Sequence, residues 1–181
     1  MEVRQAQAAD WAALRQLRLR ALADAPDAFA STLAAEEALL DEVWRQRAEG
    51  GPSSANFIAC EGGVDVGLAA VFAEPDAPGR MHLVSMWVDP GYRRRGVGRA
   101  LVDQAVRWAV ERRAREVILW VADLNSAARR LYERVGFRPT GGGPAVAFRP
   151  CSCRVLPAAA TVVLRVDPGQ RRGPTRSWVL G

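Results

Sequence analysis

Lysine is absent from this chain of 181 residues, and all 25 basic side chains are arginine. We attribute this absence to a GC-rich coding sequence rather than to a function. Long apolar runs are absent too, since none approaches the about 18 residues that a membrane-spanning helix needs. The segment Met1 to Arg4 lacks the charged and apolar regions of a signal peptide. We therefore expect a soluble, cytoplasmic protein with no membrane partner.

Metal ligands are scarce. Cys60, Cys151 and Cys153 form an odd set, and the chain has a single histidine, His82. No second cysteine pair or histidine stands nearby to complete a zinc site. We expect reduced thiols and no metal.

Two familiar nucleotide-binding motifs are also missing. No Lys-Ser or Lys-Thr pair follows Gly98, which argues against a P-loop. A Rossmann fingerprint requires three glycines and an acidic residue at the end of the next strand, where Trp120 and Val121 stand instead.

What the chain does have is one stretch, residues 84–98, around which the other elements are arranged. The apolar run 84–88 stops at Asp89-Pro90-Gly91, which predicts a buried strand followed by a turn. From Val97 onward, apolar residues recur at steps of three or four, which predicts a helix packed on a sheet.

The turn between that strand and that helix favours an anion. It carries three consecutive arginines, Arg93 to Arg95, whose forked donors suit phosphate oxygens. Gly96 and Gly98 have no Cβ to keep a phosphate from the unpaired N–H groups at the start of the helix. The sequence therefore predicts a phosphate-binding turn.

Net charge is distributed unevenly. Residues 1–137 carry 18 Arg against 19 Asp and Glu, a balance of −1, whereas residues 138–181 carry 7 Arg against one Asp, a balance of +6. The basic character thus belongs to the C-terminal segment rather than to a folded face, which argues against a nucleic-acid partner. We expect one domain over residues 1–167 and a disordered basic tail over 168–181.

The order of elements predicts a mixed α/β sheet with helices on both faces. Expected strands cover 2–5, 56–61, 64–73, 81–88, 117–121, a short segment from 137, and 161–166; expected helices cover 10–24, 35–49, a stretch from 97, and 126–135. Because a helix separates the strand 81–88 from 117–121, these two should be parallel.

Three motifs resemble the GCN5-related N-acetyltransferases, the GNAT superfamily, and in particular its bacterial members. The motifs are Met86-Trp87-Val88-Asp89-Pro90, Arg93-x-x-Gly96-x-Gly98-Arg99-Ala100-Leu101-Val102, and Asn125-x-x-Ala128-x-x-Leu131-Tyr132-Glu133-x-x-Gly136-Phe137. The resemblance implies the acyl-CoA N-acyltransferase fold: a mostly antiparallel, twisted sheet whose central parallel pair of strands is splayed around the cofactor. It also allows a homodimer.

The resemblance further implies an enzyme that moves the acetyl group of acetyl-CoA to a primary amine, in a small molecule or a peptide, by direct attack in a ternary complex. The backbone of Met86, Trp87 and Val88 would bind the pantetheine arm. The pyrophosphate would be held by Arg93, Arg94, Arg95, Gly96, Val97, Gly98 and Arg99. Asn125 and Ala128 would line the opposite wall, and Tyr132 would act as the general acid near the sulfur.

The general base stays open among three residues. His82 occupies the place of a catalytic glutamate in some relatives, and its ordinary pKa suits the task. Glu74 and Asp123 are the competitors. A CoA-binding regulator without catalysis is the alternative function, and a nucleic-acid module acting through the basic tail is a third. Residues 141–160 depart most from relatives, and we expect them, with the N-terminal helices, to select the acceptor.

Overall fold

A computed structural model describes residues 1–122 and 125–139 in full and the backbone of 159–165. In chain order, its elements are β1 (Glu2–Gln5), α1 (Trp11–Asp24), α2 (Leu33–Glu37), α3 (Asp41–Glu49), β2 (Ser54–Glu61), β3 (Val64–Ala73), β4 (Arg80–Val88), α4 (Val97–Glu111), β5 (Glu116–Ala122), α5 (Ser126–Val135), β6 (Arg138–Pro139) and β7 (Ala159–Arg165). The predicted domain limit at 167, the tail and most of the segment 141–160 lie outside the described residues.

The seven strands form one sheet in the order β1-β2-β3-β4-β5-β7-β6. The β4–β5 pair is parallel, as predicted from the intervening helix, whereas the other neighbouring strands are antiparallel. Helices pack on both faces, so the predicted fold class is confirmed. None of the helices in the described part of the chain is long and apolar enough to cross a bilayer.

The single helix predicted over 35–49 is wrong, because the chain breaks there into α2 and α3. Leu40 is extended, with ψ 150°, and is 75% exposed, so it does not pack against Trp44 as a helical pair would. The backbone leaves the helical region at Leu40, the N-cap of α3, and both Glu36 on α2 and Trp44 on α3 are buried.

The start of α1 also differs from the prediction. Asp10 occupies the N-cap position, but its side chain makes no capping hydrogen bond to α1. Its carboxylate instead accepts hydrogen bonds from Arg4, at 3.0 Å, and from the backbone N–H of Gln7, at 2.9 Å. Asp10 therefore joins β1 to the 3₁₀ turn before α1.

Two hydrophobic clusters cover the two faces of the sheet. On one face, Leu101 and Trp108 of α4 pack against β2, β3 and β4, together with Phe137. On the other face, Leu17 of α1 packs with Trp87 of β4. Because side chains alternate along a strand, β2, β3 and β4 each contribute to both clusters.

Strand β4 contains a bulge at Ser85. Leu68 of β3 lies opposite Trp87 and Ala70 lies opposite Val84, so β4 has two residues where β3 has one. Ser85 has φ 54°, in the left-handed region that non-glycine residues rarely adopt. As a result, Val84 and Trp87 line one face of the sheet, although three positions separate them.

Beyond His82, before the bulge is reached, β4 and β5 diverge. They pair only at Arg80–Glu116, Met81–Val117 and His82–Ile118, although both strands continue and both lie wholly in the described part of the chain. The predicted splay of the central parallel pair is therefore present. It leaves the backbone edge of residues 84–88 open toward β5.

Candidate active site

The N-terminus of α4 lies at the end of the open edge of β4. Its N-cap, Gly96, is left-handed with φ 89° and provides no side-chain hydrogen bond to the helix. A Cβ placed on Gly96 would meet no atom within 4 Å, so the space in front of it is open. The N–H groups of the first helical turn have no partner within the helix. This end of α4 can therefore accept a phosphate group.

Gly98, unlike Gly96, lies in a closely packed place. A Cβ there would lie 3.1 Å from Leu131 of α5 and 3.4 Å from Met86 of β4. The missing side chain thus permits α4, α5 and β4 to pack closely together. This packing brings the predicted motifs on these three elements to one place.

The arginines of the turn are not equivalent. Arg93 donates from Nε to the carbonyl of Val88, at 2.9 Å, and pairs with Asp24 at the end of α1. Arg95 lies over the ring of Tyr92, 5.3 Å from its centroid. Arg94 is left-handed, with φ 62°.

Arg99, in the first turn of α4, is within 3.4 Å of Asp103. Arg94 and Arg95 have no ion-pair partner within the described residues. Unlike Arg93 and Arg99, these two arginines can therefore bind a phosphate without giving up an ion pair.

The strand residues on the open edge face opposite sides. Met86 and Val88 pack toward α4, whereas Trp87 turns to the other face and donates from Nε1 to Asp24, at 2.9 Å. Asp24 thus receives hydrogen bonds from both Trp87 and Arg93. This arrangement ties the open edge to α1.

Asn125 caps α5, as predicted: its side chain accepts a hydrogen bond from the N–H of Ala128, at 3.0 Å. Helix α5 ends at Gly136, with φ 106°. Asp123, one of the three base candidates, lies outside the described residues.

Tyr132 is 6% exposed and packs against Phe137, with ring centroids 5.8 Å apart. Burial raises the pKa of the Tyr132 phenol above its ordinary value. Among the described residues, its hydroxyl has no hydrogen-bond partner. The phenol therefore stays protonated at neutral pH and keeps its hydroxyl for a ligand.

Two of the candidates for the general base, His82 and Glu74, are hydrogen-bonded to each other. Nε2 of His82 lies 3.2 Å from Oε2 of Glu74. The imidazole is 5% exposed and is stacked between Phe72 and Trp120, with ring centroids 4.9 Å away on each side. Nδ1 of His82 is buried without a hydrogen-bond partner in the described part of the structure.

Burial lowers the pKa of His82 below its ordinary value, although hydrogen bonding and charge from Glu74 act in the opposite direction. The ring is consequently neutral at pH 7. With Nε2–H donated to Glu74, Nδ1 carries the free lone pair that a base needs.

A cluster that the sequence did not reveal lies on the α1 face of the sheet. The buried carboxylate of Glu36 accepts hydrogen bonds from Arg18, the shortest at 2.8 Å, and from Arg47, at 3.0 Å. Arg18 also reaches Ser85, at 3.4 Å. These residues belong to three helices and a strand, so no spacing along the chain pointed to them. Ser85, a polar residue inside an apolar strand, was the one local signal.

The open parallel pair, with a helix N-terminus at its end, is the architecture of the acyl-CoA N-acyltransferases. A model of the acetyltransferase (GNAT) family matches residues 11–137. The chain therefore belongs to the GNAT family of acetyltransferases, and the predicted family is confirmed.

Among curated relatives, mycothiol acetyltransferase from Beutenbergia cavernae is 34% identical over 125 residues, which cover 68% of this chain and 39% of that protein. An uncharacterised N-acetyltransferase from Methanocaldococcus jannaschii is 44% identical over 52 residues, which cover 29% of this chain and 23% of that protein. The chain thus spans less than half the length of either relative.

Among solved structures, a GCN5-related N-acetyltransferase from Kribbella flavida is 26% identical, with a TM-score of 0.70, and the match covers 91% of this chain and 97% of that one.

Proposed function

We propose that this protein transfers the acetyl group of acetyl-CoA to a primary amine of a small molecule or peptide, by direct attack in a ternary complex. One observation carries the proposal: β4 and β5 separate after three pairs, and the open edge of β4 leads to the uncapped N-terminus of α4. An extended pantetheine arm can bond such an edge as an added strand does.

The residues present fit acetyl-CoA. The N–H groups at the start of α4, with Arg94 and Arg95, would hold the pyrophosphate, since Gly96 leaves open space in front of them. The backbone of residues 86–88 would bind the pantetheine arm, and Asn125 and Ala128 would line the opposite wall. Arg93 supports the site by fixing the end of β4 through Val88 and Asp24.

Acetyl-CoA supplies the acetyl group as an activated thioester. Tyr132 would give its phenolic proton to the departing thiolate, because its buried phenol is protonated and its hydroxyl has no hydrogen-bond partner within the described residues. His82 accepts the proton that the amine loses, directly or through water. Glu74 holds the imidazole in the tautomer that leaves Nδ1 free.

The test is acetyl-CoA-dependent thiol release by the purified full chain, measured with a panel of amines, antibiotics and peptides with free N-termini. The absence of lysine helps, because the chain has no ε-amine of its own to acetylate. The Tyr132→Phe variant is the matched control for chemistry. A chain that binds CoA in calorimetry and yet releases no thiol with any amine would instead be a regulator.

A further inference from the structure

A cavity of about 320 Å³ lies between the N-terminal helices and β4, and it includes the bulge. Arg18, Glu36, Trp44, Arg47, Asn56 and Ser85 provide its polar lining. Ser85 directly precedes the strand residues that we assign to the pantetheine arm. The cavity is therefore placed to hold a molecule beside the acetyl group.

The charge of this cavity is positive. Both oxygens of Glu36 are occupied: Oε1 accepts from Arg18, at 2.8 Å, and Oε2 accepts from Arg47, at 3.0 Å. Burial alone would raise the pKa of Glu36, but hydrogen bonds and charge from Arg18, with charge from Arg47, lower it overall, so the carboxylate is ionised. Two arginines face one carboxylate, and Nε of Arg18 also lies 3.2 Å from both oxygens of Glu36, so the carboxylate has little capacity left for an ammonium group.

Two residues of the cavity lining, Trp44 and Arg47, have hydrogen-bond donors that are not used. Trp44 is 1% exposed, and its Nε1–H has no partner among the described residues. A buried donor left unpaired is destabilising, so an oxygen that reached Nε1 would be stabilised. Arg47 lies over the Trp44 ring, 4.9 Å from its centroid, and uses only Nη1 toward Glu36.

We propose that this cavity binds a carboxylate of the acceptor, so that the acceptor is an amino acid or another small amine that carries a carboxylate. Arg47 and Trp44 donate to that carboxylate, while Arg18 is held in place by Glu36 and by the ring of Phe29, 4.6 Å away. The volume is at the lower end of ligand pockets, which run from about 300 to 1,000 Å³, and this favours a small molecule over a protein segment. The inference rests on the proposed function.

The test compares three compounds that share one side chain: the free amino acid, its carboxamide and the amine left after decarboxylation. The comparison is repeated for every side chain for which all three compounds can be obtained. Thiol release by the full chain gives kcat/KM for each member. We expect the best amino acid to exceed its amide at least tenfold. Spermidine, a polycation, should be among the poorest acceptors.

Arg47→Gln should reduce the ratio of kcat/KM for acid over amide at least fivefold. Arg47 is partly exposed and Glu36 keeps Arg18, so this variant should fold. Arg45→Gln is the matched control: it removes the same charge from the same helix at a residue paired with Glu42 outside the cavity. It should leave the ratio unchanged.

Equal rates for acids and amides, or an unchanged ratio in Arg47→Gln, would overturn the carboxylate site and leave acetyl transfer standing. If no amine releases thiol, the proposed function fails, and calorimetry with CoA present then tests the cavity alone. In that case N-acetyl amino acids should bind more tightly than N-acetyl amino acid amides, and Arg47→Gln should remove the difference; equal binding would reject the site.

Discussion

Asp24 accepts hydrogen bonds from two residues, one in β4 and one in the turn that follows it: Trp87 donates from Nε1 at 2.9 Å, and Arg93 pairs with the same oxygen. The last residue of α1 is thereby joined to the end of β4 and to the first arginine of the turn. A motif that the sequence presents as a local loop is fixed by a helix more than sixty residues earlier.

Replacing Asp24 should therefore destabilise the protein. We expect Asp24→Ala to lower the free energy of unfolding by about 1 to 3 kcal/mol, because it leaves Trp87 and Arg93 without their acceptor. Asp24→Asn retains an oxygen for Trp87 and should cost less. Urea unfolding at pH 7 measures both; equal stability of Asp24→Ala and wild type would contradict the prediction.

The contribution of Asp24 should also depend on pH. The hydrogen bond from Trp87 is the main cause that lowers the pKa of Asp24 below its ordinary value, and Arg93 adds to it. A lowered pKa stabilises the folded state above the ordinary value of 3.8, and this stabilisation is lost as pH falls through the folded value. The difference between wild type and Asp24→Asn should therefore shrink on acidification below about pH 4.

Tyr132→Phe should lower kcat about ten- to a thousandfold while the affinity for CoA stays nearly unchanged. The ring and its contact with Phe137 are retained, and only the proton donor is lost. Tyr92→Phe, the same change at the other tyrosine, is the control. An unchanged kcat in Tyr132→Phe would reject the general-acid role.

Because His82 is hydrogen-bonded to Glu74, we expect a substitution at Glu74 to shift the pH dependence of kcat/KM. Glu74 raises the pKa of His82 against the larger effect of burial. Glu74→Gln should therefore move the acidic limb of kcat/KM to lower pH, with activity largely retained at pH 8. Glu111→Gln, an exposed change on α4, should leave the limb in place.

The alternative outcome is equally informative. If Glu74 is itself the base, Glu74→Gln should abolish turnover at every pH rather than shift the profile. His82→Gln should lower kcat/KM about a hundredfold or more if the imidazole accepts the proton. A His82→Gln variant with a wild-type profile would dismiss the histidine.

Ser85 provides a prediction about the bulge. Its φ of 54° is strained for a residue with a Cβ and most strained for a β-branched one. We expect Ser85→Gly to raise stability by about 1 kcal/mol and Ser85→Val to lower it by about 1 to 2 kcal/mol. Thermal unfolding of the two variants checks the order, and a Val variant as stable as the Gly variant would contradict the backbone conformation.

Regular elements with clear apolar periodicity were predictable from the sequence. Helix α5 begins after Asn125 and ends at Gly136 as predicted, because a side-chain cap and a glycine end are local signals. The parallel pair and the order of elements followed from the helix between β4 and β5. The acyltransferase class followed from motifs rather than from geometry.

Other features depend on contacts between distant segments. The buried pair of Glu36 with Arg18 joins α2 to α1 across 18 positions, so no local pattern revealed it or the break before α3. The bulge at Ser85 exists only in relation to β3. His82 and Glu74 were predicted as competitors because spacing along the chain does not reveal that the turn between β3 and β4 brings them into contact.

Only three residue pairs join β4 to β5, and they divide the sheet into two halves. We expect these halves to form at different times during synthesis of the chain. Strands β1 to β4 come from residues 2–88 and pair each with the next, so this half can form from nearby contacts as the chain emerges. The other half waits for β7, which lies between β5 and β6. In a nascent chain stopped before residue 159, we expect β1 to β4 to be paired and the outer edge of β5 to lack a neighbouring strand. An unpaired strand edge of this kind promotes aggregation. The open edge of β4 faces β5, and β5 gains its second neighbouring strand, β7, only after residues 159–165 have been made.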